Sequence, residues 1–334
     1  MRAAVLDRHG QPLRLMDLPV PVPGPGQILI RLLTSGVCHS DVHVWRGDAK
    51  ADPPPDPYIL GHEGVGEVAA LGPGVTDWQV GERAGAAWLH DTCGICDLCR
   101  GGQESFCADQ RAHGFHVQGT FAEYVLAQAA FAVKLPGGAA ADLAPLMCAG
   151  LTAYGAVDRA GVAKDETCAI FGCGGLGLYA VQLAARRGAH VVAVDNDPAK
   201  LALARALGAQ TTLQSGPDLA DHWPQGKRAH ATINFAPTAR TWPAMLAATR
   251  PLGRIVAAAM VAEPVPLVQE WLTWTGVTIT GTSVGTRAQM RDLMDLQAAA
   301  PLHSQVEVIG LDGVSAALVA LHEGRAKGRY CIVF

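Results

Sequence analysis

Cys93, Cys96, Cys99 and Cys107 lie in the run CGICDLCRGGQESFC, spaced C-x2-C-x2-C-x7-C. Zinc takes four soft thiolates in a tetrahedron with no directional demand from its d electrons, so this spacing suits a closed structural zinc site. Two-residue gaps let a tight turn aim successive sulfurs at one centre, and Gly94, Gly101 and Gly102 supply the turns. An iron–sulfur cluster accepts the same ligands and comparable spacings. A disulfide framework fits poorly with nine cysteines, an odd number, and with an N-terminus, MRAAVLDRHG, that has no apolar stretch. A closed site performs no reaction, so the chemistry must reside elsewhere.

Three further segments carry metal-ligand and proton-transfer types: Cys38-His39-Ser40-Asp41-Val42-His43, Gly61-His62-Glu63-Gly64 and Met147-Cys148-Ala149-Gly150. Singly each has a plain explanation, because a lone cysteine usually packs as a small hydrophobe. A different chemistry is written in Gly172-Cys173-Gly174-Gly175-Leu176-Gly177. G-x-G-x-x-G carries little weight alone. Here it follows an apolar strand, opens a helix and is followed by Asp195 at the end of the next strand, which is the context a dinucleotide fingerprint requires. Gly172 permits the tight turn, Gly174 lets the backbone approach a pyrophosphate, and Gly177 lets the helix pack close to the strand. The helix N-terminus adds free N–H groups and a positive dipole end. Asp195 can accept from both adenosine-ribose hydroxyls and would repel a 2′-phosphate, so NAD is expected over NADP.

These groups need scaffolds of two kinds. Residues 1–140 are rich in Gly and Pro, with short aliphatic stretches such as Gln27–Leu33 and Gly66–Leu71 bounded by turn clusters, as in a β-rich domain. The character changes near Ala144. From there Thr167–Phe171 reads as a strand, Leu176–Arg187 as a helix, His190–Val194 as a strand, and Pro198–Leu207 as a helix that starts at proline and stops at Gly208. That alternation belongs to a doubly wound parallel sheet, with Ala231–Phe235, Arg254–Ala259 and Val277–Thr280 as further strands. The chain is long for a single core. A 49% hydrophobic, 17% charged composition places it among soluble globular proteins. A net charge of -4 argues against nucleic acid or an anionic membrane surface as the main partner. No apolar run approaches the length of a membrane span, and a cytoplasmic location is expected.

Taken together, the segments resemble the zinc-dependent medium-chain alcohol dehydrogenases of the yeast and bacterial type. The match runs from GVCHSDVHVWRGD through GHEGVG, the four-cysteine lobe, CAGLTAY and GCGGLG to GRY near the C-terminus. The resemblance implies an α/β protein in which a GroES-like β-rich catalytic domain is joined to a Rossmann dinucleotide-binding domain. The expected division is 1–145 for the catalytic domain with its zinc lobe at 91–108, 146–283 for the NAD domain, and 284–334 for the return to the catalytic domain. It implies two zinc ions per chain, the second held by Cys38, His62 and Cys148 with an open fourth position. The implied reaction is reversible oxidation of alcohols to aldehydes or ketones, the metal favouring the alkoxide that passes hydride to nicotinamide C4.

By the same resemblance Ser40 would take the alcohol proton and pass it through the nicotinamide ribose to His43. Asp41 would hold the ligand histidine by its other nitrogen. Glu63 would act beside the metal electrostatically or as a transient ligand. His39 and Arg329 would meet the cofactor phosphates, and Lys200 the adenosine ribose, alongside the turn Gly172, Gly174, Gly175, Leu176 and Gly177 and the acid Asp195. Trp45, Trp88 and Met260 would line a pocket for slim primary alcohols, although a tryptophan can equally serve a core. Relatives of this length imply a homotetramer. A polyol dehydrogenase of the same superfamily, and a non-enzymatic NAD-binding relative, are the competing readings. Cys148 as third ligand and the intact four-cysteine lobe count against the first, and the presence of every metal ligand counts against the second.

Overall fold

A computed structural model describes residues 1–216, 219, 223, 228–326 and 328–334. The chain forms two compact units, Met1–Leu151 with Thr286–Phe334, and Thr152–Gly285.

The first unit is organised by the strand Gln27–Val37, whose Ile28, Ile30 and Leu32 alternate into an apolar cluster with Val68, Trp78, Ala84 and Val125. Full burial of each such side chain contributes about 1.5–3 kcal/mol relative to exposure. This strand pairs antiparallel with Glu63–Leu71, Tyr124–Gln128 and Arg329–Val333 within a seven-stranded sheet. In register, Gly36 faces Glu63 and Val37 faces Tyr330. Gly36 is glycine for a local reason: a Cβ there would collide with the Glu63 carboxylate. A second apolar cluster gathers Val5, Leu6, Val42, Trp45, Ile59, Phe121, Leu318 and Ile332.

The helix His39–Arg46 had no apolar periodicity to announce it. Its ends define it: the Asp41 carboxylate accepts from the Cys38 backbone N–H at 2.8 Å, and Gly47 stops it in the left-handed conformation at φ 80°.

The second unit is a six-stranded, all-parallel sheet in the order Thr211–Gln214, His190–Asp195, Thr167–Phe171, Ala229–Asn234, Thr249–Ala257, Thr278–Gly281. This is the 3-2-1-4-5-6 order of the dinucleotide-binding sheet. Thr167–Phe171 is buried at every residue, as a strand covered on both faces must be. The helices run over Gly177–Arg186 and Pro198–Ala206, within a residue of the sequence expectation. The short Thr211–Gln214 strand was not expected; it is polar and only four residues long. Among the described residues no single helix is long and apolar enough to cross a membrane.

Candidate metal centres and dinucleotide site

Cys38, His62, Glu63 and Cys148 bring one potential ligand atom each to within 4.8 Å of one another, and all four side chains are buried. Cys38 ends the central strand and caps the helix His39–Arg46. His62 follows Gly61, which sits at φ 94° with the Phe121 ring and Thr120 hydroxyl so near that a Cβ would not fit. Cys148 lies between the 3-10 turn Ala144–Met147 and the helix Ala149–Arg159. The Cys38 and Cys148 sulfurs are 3.9 Å apart. Metal–sulfur bonds of about 2.3 Å in a tetrahedron give an edge of about 3.8 Å, so the pair is spaced for one zinc.

Asp41 orders this centre. Its Oδ1 lies 3.1 Å from His62 Nδ1 and accepts from Gly61 N at 3.1 Å, while Oδ2 accepts from Cys38 N. With Nδ1 occupied, His62 Nε2 is left buried and without a hydrogen-bond partner. An orphaned imidazole nitrogen costs free energy unless something binds it, and a metal ion does. The Cys148 thiol beside Cys38 pulls the Cys38 pKa well below the ordinary thiol range. The same contact, with burial, pushes Cys148 well above it. Two buried thiols that resist joint ionisation are a donor set that a divalent cation completes. The residues fit zinc. Glu63 is fully buried and ion-paired with Arg329; burial raises its pKa to about 7 against the pull of that guanidinium.

The second cluster is Cys93, Cys96, Cys99 and Cys107, again within 4.8 Å. Its sulfurs are 3.5 Å apart for Cys93–Cys107 and 3.9 Å for Cys93–Cys99 and Cys96–Cys107. None of the nine cysteines forms a disulfide, which removes the disulfide alternative. A two-stranded ladder, Leu89–Asp91 with Arg111–Ala112, closes the base of this lobe. Glu104 ties the lobe to Arg287 through the Arg287 N–H at 2.9 Å and its Nε at 3.2 Å.

In the parallel-sheet unit Gly172 stands at φ 92°, and a Cβ there would press on Ala236 N at 2.6 Å. A Cβ on Gly177 would strike the Gly172 carbonyl, whereas one on Gly174 would meet nothing within 4 Å. Gly172 and Gly177 are therefore needed by the fold, and Gly174 borders open space. The Asp195 carboxylate accepts from Cys173 N at 2.6 Å and from Asp197 N at 3.0 Å, which aims it at the glycine turn. Lys200 is half-buried on the helix Pro198–Ala206.

Two family models match the chain: an alcohol dehydrogenase GroES-like domain over residues 24–137 and a zinc-binding dehydrogenase domain over residues 175–299. An alcohol dehydrogenase of Moraxella sp. (strain TAE123) is 37% identical over 335 residues, covering 99% of each chain. The chain belongs to the zinc-dependent medium-chain alcohol dehydrogenase family. A solved NAD-dependent alcohol dehydrogenase superposes with a TM-score of 0.93 at 29% identity, over 100% of both chains. A zinc-binding dehydrogenase from Sinorhizobium meliloti 1021, solved with NADP, superposes at 0.89 with 25% identity, over 100% of this chain and 99% of its own. As a member of the alcohol dehydrogenase family the protein is an oxidoreductase with the two-part architecture expected from its sequence.

Around this alcohol dehydrogenase centre the other expected site residues fall unevenly. Ser40 Oγ lies 3.8 Å from Cys38 Sγ. His43 is half-buried, its ring 5.1 Å from that of exposed His39 and its Nδ1 3.6 Å from Asp48. Trp88 stands edge-on to His62 with ring centroids 4.8 Å apart, and Phe115 stacks behind it at 6.3 Å. Trp45 does not join them. It is packed in the apolar cluster with Leu6 and Val42, and its indole N–H donates to Gln11 O at 2.6 Å, so the core role corrects the expected pocket role. Met260 is 68% exposed on the other unit. Arg329, expected at the cofactor phosphates, has its guanidinium on Glu63. His90, His113 and Phe115 were missed, because nothing in their spacing marks them; only the fold puts them beside Trp88.

Proposed function

We propose that the protein is a zinc- and NAD-dependent alcohol dehydrogenase that interconverts small alcohols with aldehydes or ketones. The observation that carries this reading is the orphaned His62 Nε2, held by Asp41 beside the Cys38 and Cys148 sulfurs. Zinc held by Cys38, His62 and Cys148 would supply Lewis acidity toward an alcohol oxygen, and NAD at the glycine turn would supply the hydride acceptor. The chain's part is to hold three ligands rigidly and leave the fourth side free. Ser40, next to Cys38, takes the hydroxyl proton. His43 delivers it to water, as a half-buried histidine near the surface can. Glu63 and Arg329, paired and buried behind the ligands, fix the local charge. Trp88 bounds the substrate side and favours slim alcohols. Six of the nine cysteines sit in the two clusters, which suits a reducing, cytoplasmic setting; a homo-oligomer is part of this reading by analogy.

Metal analysis of the purified protein is expected to find two zinc ions per chain, and a panel of primary, secondary and aromatic alcohols with NAD to find turnover. One zinc or none, with no NADH formed from any alcohol, would refute the proposal.

Asp195→Ala tests the cofactor choice. The carboxylate that would repel a 2′-phosphate is lost, and the preference for NAD over NADP is expected to fall about a hundredfold, a differential of about 2.7 kcal/mol. Steady-state kinetics with both cofactors measure it, and an unchanged ratio contradicts the ribose contact.

A further inference from the structure

Behind Trp88 lies a buried histidine pair that the hydride chemistry does not use. His113 grips the Trp88 segment at three points. Its backbone N–H donates to Trp88 O at 3.0 Å, its Nδ1 lies 2.7 Å from Ala87 O, and its Nε2 lies 3.0 Å from His90 Nδ1. A carbonyl oxygen only accepts, so His113 Nδ1 must carry a proton. On the neutral ring Nε2 is then an acceptor, and the donor it needs is His90 Nδ1–H. Leu126 O also sits 3.2 Å from this Nε2, but on this tautomer it receives no hydrogen bond from the ring. Burial keeps both rings neutral, lowering the His113 pKa and bringing that of His90 down to about 3. The charged or titratable groups facing the pair are Asp91, 3.8 Å from His90 Nε2, its partner Arg111, and His62.

We propose that His113, its Nδ1–H held on Ala87 O and its Nε2 bonded to His90, is a positioning residue for Trp88 and thereby sets the size of alcohol that the site accepts. This rests on the reading that Trp88 bounds the substrate. The indole ring is perpendicular to that of the ligand His62, and it is stacked near-parallel by Phe115, two residues beyond His113 in the same loop. Indole, support ring and clamp therefore belong to one short stretch of backbone contacts. Loss of the His113 ring bonds frees the Ala87–Trp88 backbone to move away from the metal ligands, which enlarges the site without touching any group that transfers hydride or proton.

The test compares kcat and KM for ethanol and isobutanol with NAD in the zinc-loaded wild type, Trp88→Ala, His113→Leu, His113→Asn and His90→Leu, with zinc content checked in each. The isobutanol-to-ethanol ratio of kcat/KM is expected to rise about tenfold in Trp88→Ala, as one or two methylenes of added room allow. In His113→Leu it should rise about fivefold through a lower KM for isobutanol, with kcat for ethanol within about twofold of wild type. In His113→Asn the introduced amide N–H can replace Nδ1–H toward Ala87 O, so this variant should bring the ratio most of the way back. A wild-type ratio in His113→Leu beside a raised ratio in Trp88→Ala overturns the positioning role. An unchanged ratio in Trp88→Ala overturns the reading of Trp88 beneath it. If His113→Leu does not fold, His90→Leu decides instead: a raised ratio supports the role and a wild-type ratio overturns it.

Discussion

Cys148→Ser is expected to lower alcohol turnover with NAD on the order of a thousandfold while leaving the protein folded. Zinc Lewis acidity contributes several kcal/mol to stabilising developing charge, and each 1.36 kcal/mol is a factor of ten in rate. Serine keeps the volume but presents a hydroxyl that stays protonated at neutral pH, a poor third ligand beside Cys38 and His62. The fold does not depend on that thiolate. Cys148 follows a turn whose Ala144, Leu146 and Met147 are fully buried apolar residues, and these hold the segment in place. The measurements are kcat with ethanol, zinc stoichiometry and the thermal midpoint: near one zinc per chain, negligible turnover and a midpoint close to wild type. Two zincs with undiminished turnover would remove Cys148 from the ligand set.

Cys96→Ser should act in the opposite order, on stability before chemistry. A closed tetrathiolate site returns its binding free energy as folding free energy, about 10–16 kcal/mol for isolated structural sites at neutral pH. Beyond the Glu104–Arg287 contacts and the ladder at its base, little else holds this loop: its helix, Asp97–Arg100, has four residues and none is buried. Even partial loss of that coupling, a few kcal/mol, lowers the midpoint by about 5 °C at this size. Calorimetry of the variant beside wild type reads the shift, and a chelator titration should reproduce it. A midpoint unchanged in a variant that has lost one zinc would mean the lobe contributes nothing to folding.

The parallel-sheet unit was legible because its signals are local and repeated. Strand Thr167–Phe171, the turn Gly172–Gly177 and the helix after it are each written in adjacent residues, and the parallel character of the sheet follows from the alternation. The cluster proposed to hold zinc could be suspected for another reason: residue type and order matched a family pattern even though Cys38, His62 and Cys148, which the fold brings together, are far apart in sequence. What stayed hidden depends on which way a side chain turns. Trp45 and Trp88 are both tryptophans near ligand motifs, yet one helix turns its indole into the core while a strand end turns the other toward His62. His90 and His113 look like ordinary histidines until a ladder of paired strands brings them to hydrogen-bond distance.

The sheet register beneath the metal centre also says where this chain can change length. Cys38 directly follows the strand Gln27–Val37, His62 directly precedes Glu63–Leu71, and Arg329 opens a third strand beside them. Gly36 opposite Glu63 and Val37 opposite Tyr330 set their spacing. One residue inserted in any of these three strands would reverse every side chain beyond it, sending a proposed ligand to the far face. Residues 49–57, between the helix that carries His43 with its Gly47 stop and the strand that carries Glu63, are outside any ladder. Deletions and grafts belong there, since the centre is measured out by strand pairing and is indifferent to the length of chain looped between its ligands.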